Sequence, residues 1–104
     1  MCQFQEVGPL DRYRAIVRQL IEEYARIKPS YGEVVTEAII DPVLDHYELM
    51  HVGWDGHRRI HGSVVHIDIK NGRVWLQYDG TNAGVADELI AAGIPREVNA
   101  RATT

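Results

Sequence analysis

The sequence predicts an α+β fold in which an antiparallel four-stranded sheet, a meander, carries two helices on one face, in the order α-β-β-β-β-α. Three observations predict this class. The chain begins with an amphipathic segment, continues with four segments rich in β-branched and aromatic residues separated by turn signals, and closes with a second amphipathic segment. Helices on one face of such a sheet bury the apolar side of every element.

The first helix is predicted from the segment PLDRYRAIVRQLIEEYARIKPS, whose apolar residues recur at steps of three and four. This spacing places them on one face of a helix. They are Leu10, Tyr13, Ile16, Val17, Leu20, Ile21, Tyr24 and Ile27. Pro9 suits the first turn of the helix, and Pro29 ends the pattern.

Four strands are predicted from the segments GEVVTEAIID, HYELMHVGWD, HRRIHGSVVHIDIK and RVWLQYD. Asp41-Pro42 separates the first strand from the second, and Asp55-Gly56 indicates a turn between the second and the third. Asn71-Gly72 is a strong signal for a two-residue type I′ turn between the third and the fourth. Strands joined by such short turns form an antiparallel meander.

The turn at Asn71-Gly72 predicts the pairing of the last hairpin, with Asp68 opposite Trp75 and His66 opposite Gln77. Side chains alternate between the two faces of a strand, so one face becomes apolar and the other polar. The predicted core face carries Val65, Ile67, Ile69, Val74, Leu76 and Tyr78. The opposite face carries His66, Asp68, Lys70, Arg73, Trp75 and Gln77.

The register of the preceding hairpin stays open. A two-residue turn at Asp55-Gly56 would pair Trp54 with His57. It would also put His46 and Glu48 on the core face, where polar side chains fit poorly. A longer loop or a bulge would move every side chain to the other face, because a shift by one residue reverses the alternation.

The closing helix is predicted in GVADELIAAG, where Thr81 or Asn82 can cap the first turn and Gly93 and Pro95 end the helix. The 104 residues are predicted to form a single domain, 1–104. Its first residues, 1–9, are interpreted as a flexible extension. Residues 99–104 lack apolar alternation and are expected to form a shortened, frayed C-terminus.

The composition limits the classes of function. A net charge of −4 argues mildly against a stand-alone nucleic-acid binder, whose affinity comes mostly from basic side chains on phosphates. The single cysteine, Cys2, excludes an intramolecular disulfide and a cysteine-rich metal site. The sequence contains no apolar run of membrane-span length and no signal-peptide pattern, so we expect a soluble, cytoplasmic protein without membrane association.

The histidines and carboxylates raise the possibility of chemistry. His46, His51, His57, His61 and His66 match no recognised metal motif, so they are interpreted as ordinary strand and surface histidines. No metal and no other cofactor is predicted.

A small enzyme using His66 and Asp68 is a lesser hypothesis. The two side chains point the same way from one strand, but no serine or cysteine nucleophile is obviously placed beside them. No catalytic residue is therefore predicted.

The polar face is open to two interpretations, a solvated sheet surface or a protein-contact surface with an aromatic anchor. The candidate partner-binding residues are His66, Asp68, Trp75, Gln77, Arg73, Arg58, Arg59 and Trp54. Arg58, Arg59, Lys70 and Arg73 also support a competing hypothesis, a direct DNA-binding accessory factor. A hairpin that is simply kept soluble by its charge remains the alternative for these cations.

Several motifs, in order along the chain, resemble the XisI-like family, named after the fdxN-element excision controlling factor of cyanobacteria. The resemblance covers about Leu10 to Glu97. Its most specific parts are Lys28-Pro29-Ser30-Tyr31-Gly32, His46-Tyr47, Gly53-Trp54-Asp55, Arg59-x-x-Gly62, and His66-Ile67-Asp68-Ile69-Lys70-Asn71-Gly72 with Trp75.

The resemblance implies a small α+β protein without enzymatic activity, an accessory factor in programmed DNA excision. It implies a XisH-like partner with an endonuclease-like fold, and an indirect association with DNA and a site-specific recombinase. We also expect self-association into a homo-oligomer. The chain departs from the family where it ends in IPREVNARATT, without the strand-like segment and tail that relatives usually carry.

Overall fold

The computed structural model describes residues 9–30, 32–81 and 84–101. Two helices and five strands follow one another as α1 (Pro9–Ala25), β1 (Glu33–Asp41), β2 (His46–Asp55), β3 (Arg58–Lys70), β4 (Arg73–Asp79), α2 (Val85–Ala92) and β5 (Asn99–Arg101). The predicted α+β class is confirmed. The predicted strand number is wrong, because the sheet has five strands rather than four.

The five strands lie in chain order, β1-β2-β3-β4-β5. The first four form the predicted antiparallel meander, and β5 pairs in parallel with β4, so the sheet is mixed. The expected fraying of 99–104 is therefore wrong for Asn99–Arg101. Backbone pairing with β4 and a bond from the Asn99 side chain to the Ala86 carbonyl, 3.0 Å long, hold this segment. Residues 102–104 and residues 1–8 of the predicted extension 1–9 lie outside the described residues, and its last residue, Pro9, begins α1.

The core lies between the two helices and one face of the sheet. The buried apolar side chains of α1 are Tyr13, Val17, Leu20 and Ile21, as the helical spacing predicts. The strands contribute Tyr47, Leu49, Val65, Ile67, Ile69, Val74 and Leu76, and the C-terminal part contributes Val85, Leu89 and Ile94. Ile27 is 62% exposed because α1 ends at Ala25, two residues before it.

The β2–β3 hairpin turns at Gly56-His57, because Asp55 pairs with Arg58. This register differs by one residue from a turn at Asp55-Gly56. A bulge follows, in which Val64 has no direct partner between the pairs Met50–Ser63 and Leu49–Val65. Beyond the bulge, Tyr47 and Leu49 enter the core. His46 and Glu48 consequently lie on the opposite face, away from the helices.

The β3–β4 hairpin has the predicted turn, with positive φ at both Asn71 (53°) and Gly72 (75°). Asp68 pairs with Trp75 as predicted, but a bulge then leaves Gln77 unpaired and sets His66 opposite Tyr78. The predicted pairing of His66 with Gln77 is therefore wrong. The predicted core position of Tyr78 is wrong as well, because the extra residue moves Tyr78 to the other face, where it is 51% exposed.

The second helix confirms its predicted segment but not its predicted cap. Gly84 occupies the N-cap position in a left-handed conformation, without a side-chain cap bond. The Asp79 carboxylate, from the end of β4, accepts the Val85 N–H at 3.1 Å instead. Gly93 ends the helix as predicted, and its N–H donates to the last turn. Within the described residues, neither helix combines the length and apolar character needed to cross a membrane.

Candidate functional site

The sheet surface that faces away from the helices is here called the polar face. The strand register places on it Val35, Glu37, Ile39 and Asp41 of β1, His46, Glu48 and Trp54 of β2, Arg59, His66, Asp68 and Lys70 of β3, and Arg73, Trp75, Gln77 and Tyr78 of β4. Arg58 pairs with Asp55 and directly precedes Arg59, which pairs with Trp54. Alternation therefore puts Arg58 on the opposite face, apart from the other predicted residues.

Two histidines and two carboxylates form a block at the centre of the polar face. On β2, His46 and Glu48 are two residues apart, and on β3, His66 and Asp68 have the same spacing. The antiparallel register sets His46 opposite Asp68 and Glu48 opposite His66. Directly opposed residues on one face are near neighbours, so each imidazole lies beside two carboxylates.

Short distances connect this block. His46 Nδ1 lies 3.0 Å from Asp68 Oδ1, and His46 Nε2 lies 3.1 Å from Glu48 Oε1. His66 Nε2 lies 3.2 Å from Asp68 Oδ2, in an arrangement that does not meet hydrogen-bond geometry. The Gln77 side chain donates to the same Asp68 oxygen at 3.2 Å. The two histidine rings are tilted by 55° with centroids 4.4 Å apart.

The surroundings of Glu48 favour its ionised form. Asp68 is 7% exposed and is the only buried charged residue among those described. Burial tends to raise the pKa of Glu48, but the neighbouring Ser63 hydroxyl, the His46 ring and the positive charge that His66 can carry lower it below its usual value. The Ser63 hydroxyl makes no hydrogen bond of full geometry, so its effect on Glu48 is that of a nearby O–H dipole.

Two arginine–tryptophan pairs flank the block. The Arg59 guanidinium carbon lies 5.4 Å from the centre of a Trp54 ring, and that of Arg73 lies 5.9 Å from the centre of a Trp75 ring. Both distances are typical of cation–π contacts. Trp54 is 50% exposed, whereas Trp75 is partly buried. Trp54, rather than Trp75, is therefore the more accessible aromatic anchor of this face.

The structure brings together only part of the predicted site. His66, Asp68 and Gln77 are in mutual proximity, Arg73 and Trp75 lie beside them on β4, and Trp54 and Arg59 lie towards the β2–β3 turn. His46 and Glu48 were missed as site residues. The signal for them was the repeated spacing His-x-Glu and His-x-Asp on two strands joined by one turn.

The other histidines lie apart from the block. His57 is in the β2–β3 turn and His61 is exposed near it. His51 lines a mainly apolar cleft on the helix side of the sheet, together with Tyr24, Ile27, Thr36 and Leu49. The His51 side chain is engaged with a neighbour. The interpretation of these three as ordinary histidines remains a prediction.

The fold and this surface define a small α+β protein that presents the outer face of a mixed sheet. The family model of the XisI protein matches residues 8–99, so the chain belongs to the XisI family. The recognition made from sequence motifs is thereby confirmed.

Solved structures agree with this assignment. A XisI-like protein from Anabaena variabilis ATCC 29413 is 40% identical, with a TM-score of 0.82 over 88% of this chain and 84% of its own. The fdxN element excision controlling factor XisI from Anabaena variabilis ATCC 29413 is 30% identical, with a TM-score of 0.76 over 89% of this chain and 90% of its own. A search of curated proteins found no match.

Proposed function

We propose that this chain is a non-catalytic accessory protein that controls DNA-element excision, or a related process, by binding another protein through its polar face. Membership of the XisI family supports the general role, since one similar structure is that of an excision controlling factor. The single observation that carries the contact surface is the exposed Trp54, which is in cation–π contact with Arg59 on the polar face.

Exposed aromatic and apolar side chains make this face suitable for a protein partner. Trp54, Tyr78, Val35 and Ile39 are all large and exposed. A sheet surface that served only solvation would carry polar side chains at such positions, because large apolar groups gain nothing in water. Tryptophan, tyrosine and arginine are also the residues that contribute most to affinity in protein interfaces.

The charge pattern favours a protein over DNA as the direct partner. The basic residues of the polar face are Arg59, Lys70 and Arg73, and carboxylates of Glu37, Asp41, Glu48 and Asp68 lie among them. Phosphate binding is favoured by a continuous basic stripe, and interspersed carboxylates weaken it because each of them repels the DNA backbone. A protein surface with both signs of charge complements such a pattern better.

The proposed partner is a XisH-like protein, which the family resemblance implies, and the chain is proposed to self-associate. The test is co-purification of this chain with a XisH-like protein encoded by the same genome. Trp54→Ala and Arg59→Ala are expected to lose the complex while they keep the fold. Arg12→Ala on α1 and Ile27→Ala just after it, both at exposed residues on the helix side of the sheet, serve as matched controls and are expected to keep it.

Each outcome decides a separate claim. Retention of the complex by both polar-face variants would show that the contact lies elsewhere. Failure of the wild-type chain to bind would rule out the XisH-like partner. Binding of the isolated chain to duplex DNA at low salt, weakened by added salt and by Arg59→Ala, would favour the DNA-binding alternative. The oligomeric state is measured by light scattering on the purified chain.

A further inference from the structure

We propose that His46, His66 and Asp68 form a binding site for one divalent transition-metal ion, with Zn²⁺ as the ion that suits the ligands best. Each of the three offers one ligand atom, and these atoms all lie within 4.8 Å of one another. Two imidazoles and one carboxylate are a donor set that Zn²⁺ accepts in proteins, with a fourth position filled by water or another donor.

The distances between the donor atoms are close to the ligand–ligand separations around a tetrahedrally coordinated Zn²⁺ ion. Ligands at about 2.0–2.2 Å from Zn²⁺ are separated from one another by about 3.3 Å. His46 Nδ1 and His66 Nε2 lie 3.0 and 3.2 Å from the two oxygens of Asp68. All the ligand atoms lie within 4.8 Å of one another, and rotation of the imidazole rings about χ2, whose preference is broad, can bring them to tetrahedral separations.

One donor atom lacks a hydrogen-bond partner among the described residues. His66 Nε2 is shielded from solvent and makes no hydrogen bond of acceptable geometry with any described residue. Buried polar atoms are nearly always paired, so an unpaired imidazole nitrogen beside a buried carboxylate requires an explanation. A metal ion at this nitrogen provides one, because it accepts the nitrogen lone pair and compensates the charge of Asp68.

Residues around the three ligands support the same arrangement. Glu48 faces Nε2 of His46 at 3.1 Å, so it can accept the proton of that nitrogen and leave the Nδ1 lone pair free for a metal. Such carboxylate–histidine–metal contacts orient the rings of most metal-binding histidines. Gln77 donates to Asp68 at 3.2 Å and fixes the orientation of the carboxylate. The site therefore has orienting groups on two of its three ligands.

The site lies on rigid elements at the polar face of the sheet. His46 is on β2, and His66 and Asp68 are on β3, next to it in the middle of the sheet. The two histidine side chains are partly exposed, whereas Asp68 is buried. In the competing arrangement no metal binds, and the two ring nitrogens of His46 contact Asp68 and Glu48 directly.

The wild-type protein gives the first measurement. Chelator-treated protein is dialysed against Zn²⁺ alone, and the bound metal is quantified by elemental analysis. We expect one equivalent of zinc and a rise in melting temperature. Histidine ring resonances in long-range ¹H–¹⁵N NMR spectra should shift for His46 and His66 only, and not for His51, His57 or His61. These spectra of the wild-type protein would identify the histidines that bind the ion.

Matched variants then test the ligands. His66→Gln is expected to lose the bound equivalent and the zinc-dependent rise in melting temperature. His61→Gln, the same change at an exposed position of the same strand, is expected to keep both. Cys2→Ser removes the thiol. This variant is also expected to bind zinc, which would exclude the thiol as a ligand. Circular dichroism of each metal-free variant confirms that the fold is intact.

Three results would overturn the proposal. They are the absence of zinc binding by the wild-type protein, NMR shifts confined to other histidines, and unchanged stoichiometry in a folded His66→Gln variant. None of them bears on the XisH-like partner, because zinc binding is measured on the isolated chain. Loss of partner binding in Trp54→Ala would likewise leave the metal site intact. The two proposals therefore succeed or fail separately.

Discussion

His46 lies directly opposite Asp68 in the sheet, with Nδ1 of the imidazole 3.0 Å from Oδ1 of the carboxylate. The other nitrogen of the same ring is 3.1 Å from Glu48, so one imidazole bridges two carboxylates on neighbouring strands. In the metal-free protein this imidazole is the group that contacts both carboxylates, and one of them, Asp68, is the only buried charged residue that the structure describes.

Replacement of His46 is expected to destabilise the metal-free protein. His46→Ala removes the imidazole that contacts both Asp68 and Glu48 and leaves the buried Asp68 carboxylate without that partner, at a cost of about 2 kcal/mol. The free energy of unfolding is measured by urea denaturation in the presence of a chelator. His61→Ala, an exposed histidine on β3, should change it by less than about 0.5 kcal/mol. Equal effects of the two variants would contradict the bridging role.

Asp45 is expected to tolerate Asn better than Ala. Its φ of 53° is left-handed, a conformation that Asn adopts more readily than Ala does. Its carboxylate accepts two bonds from Arg14, 2.8 and 3.1 Å long, and one from Tyr47. Asp45→Ala loses all three bonds and adds backbone strain, for about 2–3 kcal/mol, whereas Asp45→Asn should cost about half as much. Urea denaturation of both variants measures the difference, and equal losses would argue against a role for the backbone.

Tyr24 is expected to contribute stability that is lost at alkaline pH. Burial, followed by its hydrogen bond to Glu88, raises the pKa of Tyr24 to about 12 from its usual value of 10.0. A raised pKa means that the folded state holds the proton more tightly than the unfolded state. The stabilisation is therefore complete below pH 10 and is lost as the pH rises towards 12.

Tyr24→Phe tests this pH dependence. The variant lacks the hydroxyl that joins α1 to α2, so it should lose about 1 kcal/mol at neutral pH. Its stability should then fall less steeply than that of the wild type in the alkaline range. The measurement is urea denaturation at a series of pH values, combined with tyrosinate absorbance. Parallel pH profiles for the two proteins would show that Tyr24 does not carry the effect.

Gly53 is expected to be the most sensitive glycine of the β1–β2 pair. Its φ is 152°, and a Cβ atom there would lie 2.1 Å from the Glu33 carbonyl oxygen and 2.7 Å from the Val34 Cα. Gly53→Ala must therefore push β1 away from β2, at a cost of about 2–4 kcal/mol. Gly62→Ala on β3 is the control, because a Cβ there meets nothing within 4 Å. Thermal denaturation compares the two, and similar midpoints would refute this close approach.

The helices and the core face could be predicted because each depends on a local pattern. The steps of three and four in α1 correctly identified the buried Tyr13, Val17, Leu20 and Ile21. The Asn-Gly turn correctly paired Asp68 with Trp75, since only a few residues separate the partners from the turn. Such short-range relations need no information from the rest of the chain.

The polar face could be predicted only in part. Gln77 and Tyr78 show why. The bulge puts one extra residue into β4, so Gln77 lies beside Asp68 and Tyr78 points away from the core. Arg58 shows the same limit at the other hairpin, where a turn shifted by one residue sends it to the opposite face. Alternation follows from the sequence, but the point at which it is interrupted depends on how neighbouring strands pack.

The sequence by itself determined the order of the elements up to the second helix, the apolar side of the first helix and of most of the last hairpin, and membership of the XisI family. Only the tertiary structure decided that Asn99–Arg101 is a strand and that His46 and Glu48 join His66 and Asp68. The physical reason is the same in both cases. A β-strand needs a partner strand for its backbone hydrogen bonds. Its existence and its register therefore depend on two segments of the chain and not on one.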